Sequence, residues 1–132
     1  IALKVDSYKN ENANGVATYY YGRDDKGVHS VVGERFANLI QREICARTDL
    51  LNCRTHAKSW DLLRLTVAPA VRIDLGYLSN QQDAKRLADP QFRDQLAEAM
   101  IVAIQRLYLS AEDDAKTGTL RISDLRRAGI RN

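Results

Sequence analysis

The chain has little of several residue types, and each shortage narrows the kind of protein it is. It has two cysteines in 132 residues, too few for a domain held together by a disulfide framework. Cys45 and Cys53 could form one local bridge, but we expect two reduced thiols. No apolar stretch approaches the run of about 20 residues that spans a membrane, so we expect no membrane-spanning segment. Two prolines and seven glycines fit an ordinary globular composition.

Neither sign of charge is in large excess. Twenty Lys and Arg against 17 Asp and Glu give a formal net charge of +3, and no dense basic run is interleaved with aromatic residues. Nothing here indicates nucleic-acid binding. The 45% hydrophobic content excludes a wholly disordered chain, and the length suits one domain. The first residue is Ile1 rather than Met, so we expect a piece of a longer protein, with any signal peptide lying upstream.

The periodicity predicts strands alternating with amphipathic helices. Two helix starts carry clear capping signals: Asn80 with Asp83, and Asp89 followed by Pro90. Residues 48–59 are polar and predict an irregular segment. We expect strands at 1–8, 16–21 and 70–75, a helix at 28–47, and a last helix whose core stripe is Phe92, Leu96, Ala99, Met100, Ala103, Ile104 and Leu107.

This order of elements predicts an α/β fold. Strands separated by long helices favour a twisted, largely parallel sheet flanked by helices on both faces. The short apolar strand AVRIDL fits a sheet that is covered on both sides. After residue 109 the chain becomes polar, and we expect residues 110–132 to form a C-terminal tail.

One segment resembles a family signature. Residues 62–80, LLRLTVAPAVRIDLGYLSN, are similar to the "VLR-T-x-x-P-A-V-L-V-E-x-G-F-L-S-N" stretch of the zinc-dependent N-acetylmuramoyl-L-alanine amidases of the amidase-3 family. The opening residues, ALKVDSYKNENANGVATYYYG, resemble that family's metal-bearing strand, loop and next strand. The resemblance implies that residues 1–109 are the C-terminal part of an amidase-3-like domain. Such enzymes cut the amide bond between muramic acid and L-alanine in peptidoglycan.

Two positions depart from the family pattern. Lys4 stands where the family has a zinc-ligating His, and Asp74 stands at the position of the catalytic Glu. A lysine ammonium is protonated at neutral pH and cannot coordinate zinc, whereas Asp74 keeps a carboxylate on an arm one methylene shorter. We therefore expect a degenerate site without zinc. We also hypothesise an ion pair between Lys4 and Asp74 across adjacent strands.

Other candidate residues have ordinary explanations. His29 and His56 have no second ligand at metal-binding spacing, and we expect each to be exposed or hydrogen-bonded. In the run Tyr19 to Tyr21, alternation sends Tyr20 to the face opposite its neighbours. Trp60 could line a groove, but we expect it to anchor its loop.

The overall likeness is to an actinobacterial branch of the family that lacks the full zinc site and regulates cell-wall precursor synthesis. It implies a non-hydrolytic domain in the cytoplasm, free or membrane-associated, with a protein partner from peptidoglycan synthesis or a muropeptide as ligand. Control by phosphorylation of the tail would use Ser110, Thr117, Thr119 or Ser123. The alternative is an active, secreted zinc amidase. No cofactor is expected unless that alternative holds.

Overall fold

The computed structural model describes residues 1–23, 25 and 27–109. The tail from residue 110, with its four Ser and Thr candidates, lies outside the described residues. The strands are β1 (Ala2–Asp6), β2 (Val16–Arg23), β3 (Val28–His29), β4 (Asn52–Lys58) and β5 (Val71–Tyr77). The helices are α1 (Val31–Arg47), α2 (Asp61–Arg64), α3 (Gln81–Ala88) and α4 (Pro90–Tyr108).

The described strands form one mixed sheet. β5 lies between β1 and β2, β4 pairs with the other edge of β2, and β3 forms a short hairpin with the end of β2. The pairs β1–β5 and β2–β4 are parallel, whereas β2 runs antiparallel to β5 in the middle of the sheet. The α/β prediction is confirmed, and the parallel pairs lie on either side of this antiparallel contact.

Alternation along β5 decides which side chains build the core. Val71 and Ile73 are buried and face α1 and α4, while Arg72 and Asp74 point to the opposite face. The two long helices pack on each other and on this apolar side of the sheet. Tyr20 joins the same core, as alternation predicted.

Local capping chemistry sets the helix starts. The Asn80 side chain accepts hydrogen bonds from the backbone N–H groups of Gln82 and Asp83, and Asp89 accepts from Gln91. Both predicted caps are confirmed. The predicted first helix begins later, at Val31, because Ser30 caps it and the preceding two residues pair with β2 as β3.

Residues 52–58 contradict the predicted irregular segment, since they form β4. Their exposure alternates, but the outward residues are polar and the inward ones, Cys53, Thr55 and Ala57, are small, so the sequence carries no alternation of large apolar residues. The strand forms through backbone pairing with β2 and through Gln41, whose amide bonds both the Val16 carbonyl and the Asn52 side chain at 2.8 Å. Such long-range pairing leaves no local signal.

The predicted core stripe of α4 is correct over most of its length and wrong at Ile104, which is 37% exposed. Arg106 is buried instead, because its guanidinium lies 2.9 Å from the carboxylate of Glu43, an α1 residue equally shielded from solvent. Glu43 also pairs with Arg47. Within residues 1–109 described here, no helix is long and apolar enough to cross a membrane.

Candidate functional site on the polar face of the sheet

The face of the sheet opposite the core carries a cluster of charged and aromatic side chains. In the strand register Lys4 is the partner of Asp74, and Tyr19 is the partner of Arg72. Paired residues of neighbouring strands point to the same face. We call this cluster the polar face; its members are Lys4, Tyr19, Trp60, Arg72 and Asp74.

Arg72 holds Asp74 in a bidentate ion pair. The guanidinium Nε donates to Oδ1 of Asp74 at 2.8 Å, and Nη2 donates to Oδ2 at 3.0 Å. The two side chains are 21% and 13% exposed, so the pair is partly shielded from water. Fork-to-fork pairs of this kind are among the strongest hydrogen-bonded contacts in proteins. Both carboxylate oxygens of Asp74 therefore have a partner.

Two aromatic rings support the guanidinium. The Arg72 Cζ atom lies 3.8 Å from the centroid of the Trp60 ring and 5.1 Å from that of Tyr19. The two rings contact each other with centroids 5.0 Å apart. Cations over aromatic faces at these distances are attracted to the negative face of the ring. Trp60 thus anchors its segment, as predicted, and also contacts the site.

Lys4 forms its ion pair with Asp6, not with Asp74. The Lys4 ammonium lies 3.5 Å from Oδ2 of Asp6, two residues along the same strand. The hypothesis placed Lys4 and Asp74 on adjacent strands, which is correct. The proposed ion pair itself is not confirmed, because the cation bound to Asp74 is Arg72.

The electrostatics reflect this arrangement. The pKa of Asp6 is lowered chiefly by the hydrogen bond from the backbone N–H of Ser7, with the charges of Lys4 and Arg72 acting in the same direction. Burial raises the pKa of Tyr19 above its ordinary 10.0, and the Asp74 carboxylate adds to that shift. The charges of the polar face are therefore close enough to influence one another.

The segment that follows β5 holds the loop after β1 in place. Leu78 donates its backbone N–H to the Asp6 carbonyl at 2.8 Å, and Ser79 accepts from the backbone N–H of Tyr8 at 2.9 Å. The Asn80 amide donates to the Glu11 carbonyl at 2.9 Å. We call this contact region the loop clamp. It comprises Gly76, Leu78, Ser79, Asn80 and Asp83 with residues 6–15.

Asp83 is the buried centre of the loop clamp. Its Oδ2 accepts the backbone N–H of Gly15 at 2.9 Å and that of Tyr77 at 3.1 Å, while Oδ1 accepts from Arg86 at 3.2 Å. The side chain is fully buried. Gly76, at φ +134°, lies against it, and a Cβ there would be 3.0 Å from Oδ2. Only glycine accommodates both this backbone conformation and this close approach.

Neither histidine belongs to a group of possible metal ligands among the residues that the structure describes. His29 contacts Oε2 of Glu34 at 2.9 Å, and His56 lies 2.7 Å from the Cys53 carbonyl with its ring against Tyr19. Both are exposed. The prediction of exposed or hydrogen-bonded histidines is confirmed.

Comparison with known proteins agrees with the motif. The family model for N-acetylmuramoyl-L-alanine amidase, Amidase_3, matches residues 1–106. The chain belongs to this amidase family. Its similarity extends to the amidase CwlM of Mycobacterium tuberculosis, with 42% identity over 125 residues, which is 95% of this chain and 30% of that protein.

The chain is also similar to more distant members of the amidase family. The probable cell wall amidase LytH of Staphylococcus aureus is 29% identical over 111 residues, or 84% of this chain and 35% of LytH. The solved structure of the amidase AmiC2 of Nostoc punctiforme superposes with a TM-score of 0.67 at 25% identity, covering 79% of this chain and 55% of that one. The chain thus spans about a third of the length of the curated relatives.

The amidase family implies a zinc ion, and the Lys4 side chain does not fit one. Zinc binds neutral imidazole, thiolate or carboxylate. Lys4 offers an ammonium, and the Asp74 oxygens accept from a guanidinium. Among the described residues, no group of three or more His, Cys, Asp or Glu side chains is arranged to hold a metal.

Arg72 is the site residue that sequence reasoning missed. In the signature that residues 62–80 resemble, Leu stands where this chain has Arg72, so a charged residue there is a departure from that pattern. The signal was present in the i, i+2 spacing of Arg72 and Asp74, which places both on one face of a strand. The contact with Trp60 had no such signal, because the chain between them first forms α2 and a loop.

Proposed function

We propose that this amidase-like domain does not hydrolyse peptidoglycan and acts by binding. The observation that supports the proposal is the bidentate pair between Arg72 and Asp74. In a zinc amidase the carboxylate at this position moves a proton while the metal activates water. Here a guanidinium engages both oxygens, so taking a proton from water would require breaking charge-assisted hydrogen bonds.

Lys4 supports the same proposal, because its side chain disfavours metal binding. Its ammonium occupies the position of a ligand and would repel a dication instead of coordinating it. The side chain is held on the polar face by Asp6 at 3.5 Å. The two departures act on different parts of the reaction, metal binding and proton transfer. Restoring one alone would not restore hydrolysis.

As a binding domain, we propose that it regulates cell-wall precursor synthesis through a protein partner in the cytoplasm. The resemblance to the branch of the family with a degenerate zinc site supports this role. The cell-wall amidase names of the relatives support the peptidoglycan context. Depleting the protein should lower the cellular pool of soluble precursors while leaving stem-peptide release from the wall unchanged. An unchanged precursor pool would contradict the regulatory role.

The decisive experiment on hydrolysis measures zinc and product together in the full-length protein. We expect far less than one zinc per chain and no free stem peptide after incubation with peptidoglycan. Stoichiometric zinc with release of stem peptide would overturn the proposal in favour of an active amidase. The intact loop clamp is the feature that favours this second candidate, since it keeps the strand ends in the family arrangement.

The matched variant restores the family residues at three positions: Lys4→His, Arg72→Leu and Asp74→Glu in one protein. Under the proposal, this triple variant should bind more zinc than the double variant Lys4→His with Asp74→Glu, which keeps Arg72. Equal zinc binding with and without Arg72→Leu would show that the guanidinium is not an obstacle to the metal.

A further inference from the structure

Arg72 is held by several contacts, and its side chain is still 21% exposed. Its contacts with Asp74 use Nε and Nη2, two of the positions from which a guanidinium donates its five N–H groups. The rings of Trp60 and Tyr19 restrict the side chain at 3.8 and 5.1 Å. A guanidinium already ordered by stacking loses little conformational entropy when it binds a further ligand.

The charges around Arg72 favour an anionic ligand. Lys58 lies with its ammonium 5.9 Å from the same Trp60 ring, and Lys4 lies on the neighbouring strand. Asp6 and Asp74 lie among them, paired with Lys4 and Arg72 respectively. Among these described side chains, three cations against two carboxylates leave one positive charge in excess, that of Lys58.

We propose that Arg72 binds a carboxylate, and that the polar face takes a ligand with a free carboxylate group. This inference deepens the non-hydrolytic function proposed above and rests on it. Planar guanidinium and planar carboxylate match in shape, so Arg favours this group over a neutral amide. In cell-wall chemistry the free carboxylate comes from the lactyl group of muramic acid or from the stem peptide.

The chemistry of the family reaction explains why the site should prefer a free acid. Hydrolysis of the amide between muramic acid and alanine leaves a carboxylate on the sugar. A site with zinc polarises the carbonyl of the uncut amide, whereas a fixed guanidinium interacts most strongly with the charged acid. The polar face should therefore select the acid over an uncharged sugar of the same shape.

Trp60 provides the measurement, because it is the one tryptophan of the chain. The 132-residue chain is titrated separately with N-acetylmuramic acid, with the dipeptide L-Ala-D-Glu and with N-acetylglucosamine, following Trp60 fluorescence. N-acetylglucosamine is the matched control, since it lacks the lactyl carboxylate. We expect saturable binding of at least one acid and at least about tenfold weaker binding of N-acetylglucosamine. The acid that binds more tightly identifies the sugar or the peptide as the source of the carboxylate.

Variants assign the binding to Arg72, with calorimetry used because the substitution also changes the surroundings of Trp60. Arg72→Leu should weaken binding of the acid at least about tenfold, and Arg72→Lys should weaken it less. Arg64→Leu removes an exposed guanidinium nearby, paired with Asp61, and should leave affinity unchanged. Thermal melting of each variant checks that the fold is retained.

Equal binding of acid and neutral sugar, or equal weakening by Arg64→Leu and Arg72→Leu, would overturn the proposal. Absence of binding by both acids would also overturn it. These results would leave the non-hydrolytic function standing, because that function is tested separately by zinc content and product release.

Discussion

Strand β5 contributes to the polar face at its beginning and to the loop clamp at its end, and the two regions keep the family pattern to different degrees. In the loop clamp, Gly76, Ser79 and Asn80 match the signature and make close contacts with the loop after β1. On the polar face, Arg72 and Asp74 both depart from it. The positions that match the signature here are therefore those that hold the fold together. The positions on which the chemistry of the site depends are different ones.

The difference in solvent exposure explains why the two regions respond differently to substitution. Asp83 in the loop clamp is fully buried and satisfies two backbone N–H groups, so losing it would leave buried donors without partners. The side chains of the polar face are partly exposed, and water can replace their contacts. Substitutions in the loop clamp should mainly lower the free energy of unfolding. Substitutions on the polar face should mainly change the properties of the candidate site.

The largest expected effect is that of Asp83→Ala. The variant removes an acceptor shared by Gly15, Tyr77 and Arg86, and we expect it to lower the free energy of unfolding by about 3–5 kcal/mol. Urea unfolding followed by circular dichroism measures the change. The exposed Asp94 on α4 is the control, and Asp94→Ala should shift stability by less than about 0.5 kcal/mol. Equal effects of the two substitutions would contradict the importance of the loop clamp.

Gly76→Ala should have the next largest effect. The backbone φ of +134° and a Cβ only 3.0 Å from the Asp83 carboxylate should together cost roughly 2 kcal/mol of stability. Gly27→Ala is a matched control, since Gly27 also has a positive φ but no atom lies within 4 Å of a Cβ placed there. If both variants melt at the same temperature, the close contact with Asp83 does not matter.

Arg72→Leu should change stability less than Asp83→Ala does and should change the site strongly. Because Asp74 is only 13% exposed and loses its bidentate partner, we expect the free energy of unfolding to fall by about 1–2 kcal/mol. Trp60 emission should shift, because the cation stacked on its ring is removed. Fluorescence spectra and urea unfolding of the same samples check both expectations. A loss of stability as large as that of Asp83→Ala would remove the distinction between the two regions.

The smallest expected effect is on a pH titration. Because the folded pKa of Asp6 lies below its ordinary value of 3.8, its carboxylate contributes stability above that pH and loses it as pH falls through the folded pKa. Lys4→Met should raise the pKa of Asp6 only partly, since the hydrogen bond from Ser7 is the larger cause. Carboxyl NMR measures the shift. Asp49 is the internal control, because its lowered pKa depends on Arg86.

Local patterns predicted much of the fold and part of the site. The caps at Asn80 and Asp89 depend on residues within three positions, so the sequence alone indicates them. The family signature drew attention to Asp74, whose role at the site stays a prediction. It did not reveal β4, which forms through pairing with β2, or the burial of Arg106, which requires Glu43 on another helix.

The partner of Asp74 shows most clearly what could not be predicted from the sequence. Sequence reasoning assigned it to Lys4, because adjacent strands bring the two positions side by side. In the structure Arg72 reaches the carboxylate along its own strand, and Trp60 and Tyr19 hold the guanidinium there. Long, flexible cations can reach several acceptors, and packing selects among them.

By itself, the sequence determined the family, the α/β class and the strand that carries Asp74, because these depend on residue identity and short-range periodicity. Only the tertiary structure decided which cation binds Asp74, which rings support that cation, and that Asp83 ties the loop after β1 to the end of β5. These contacts join residues that lie up to 68 positions apart, between Gly15 and Asp83. Apart from the i, i+2 spacing of Arg72 and Asp74, no local pattern indicates these contacts, because they form only once the chain has folded.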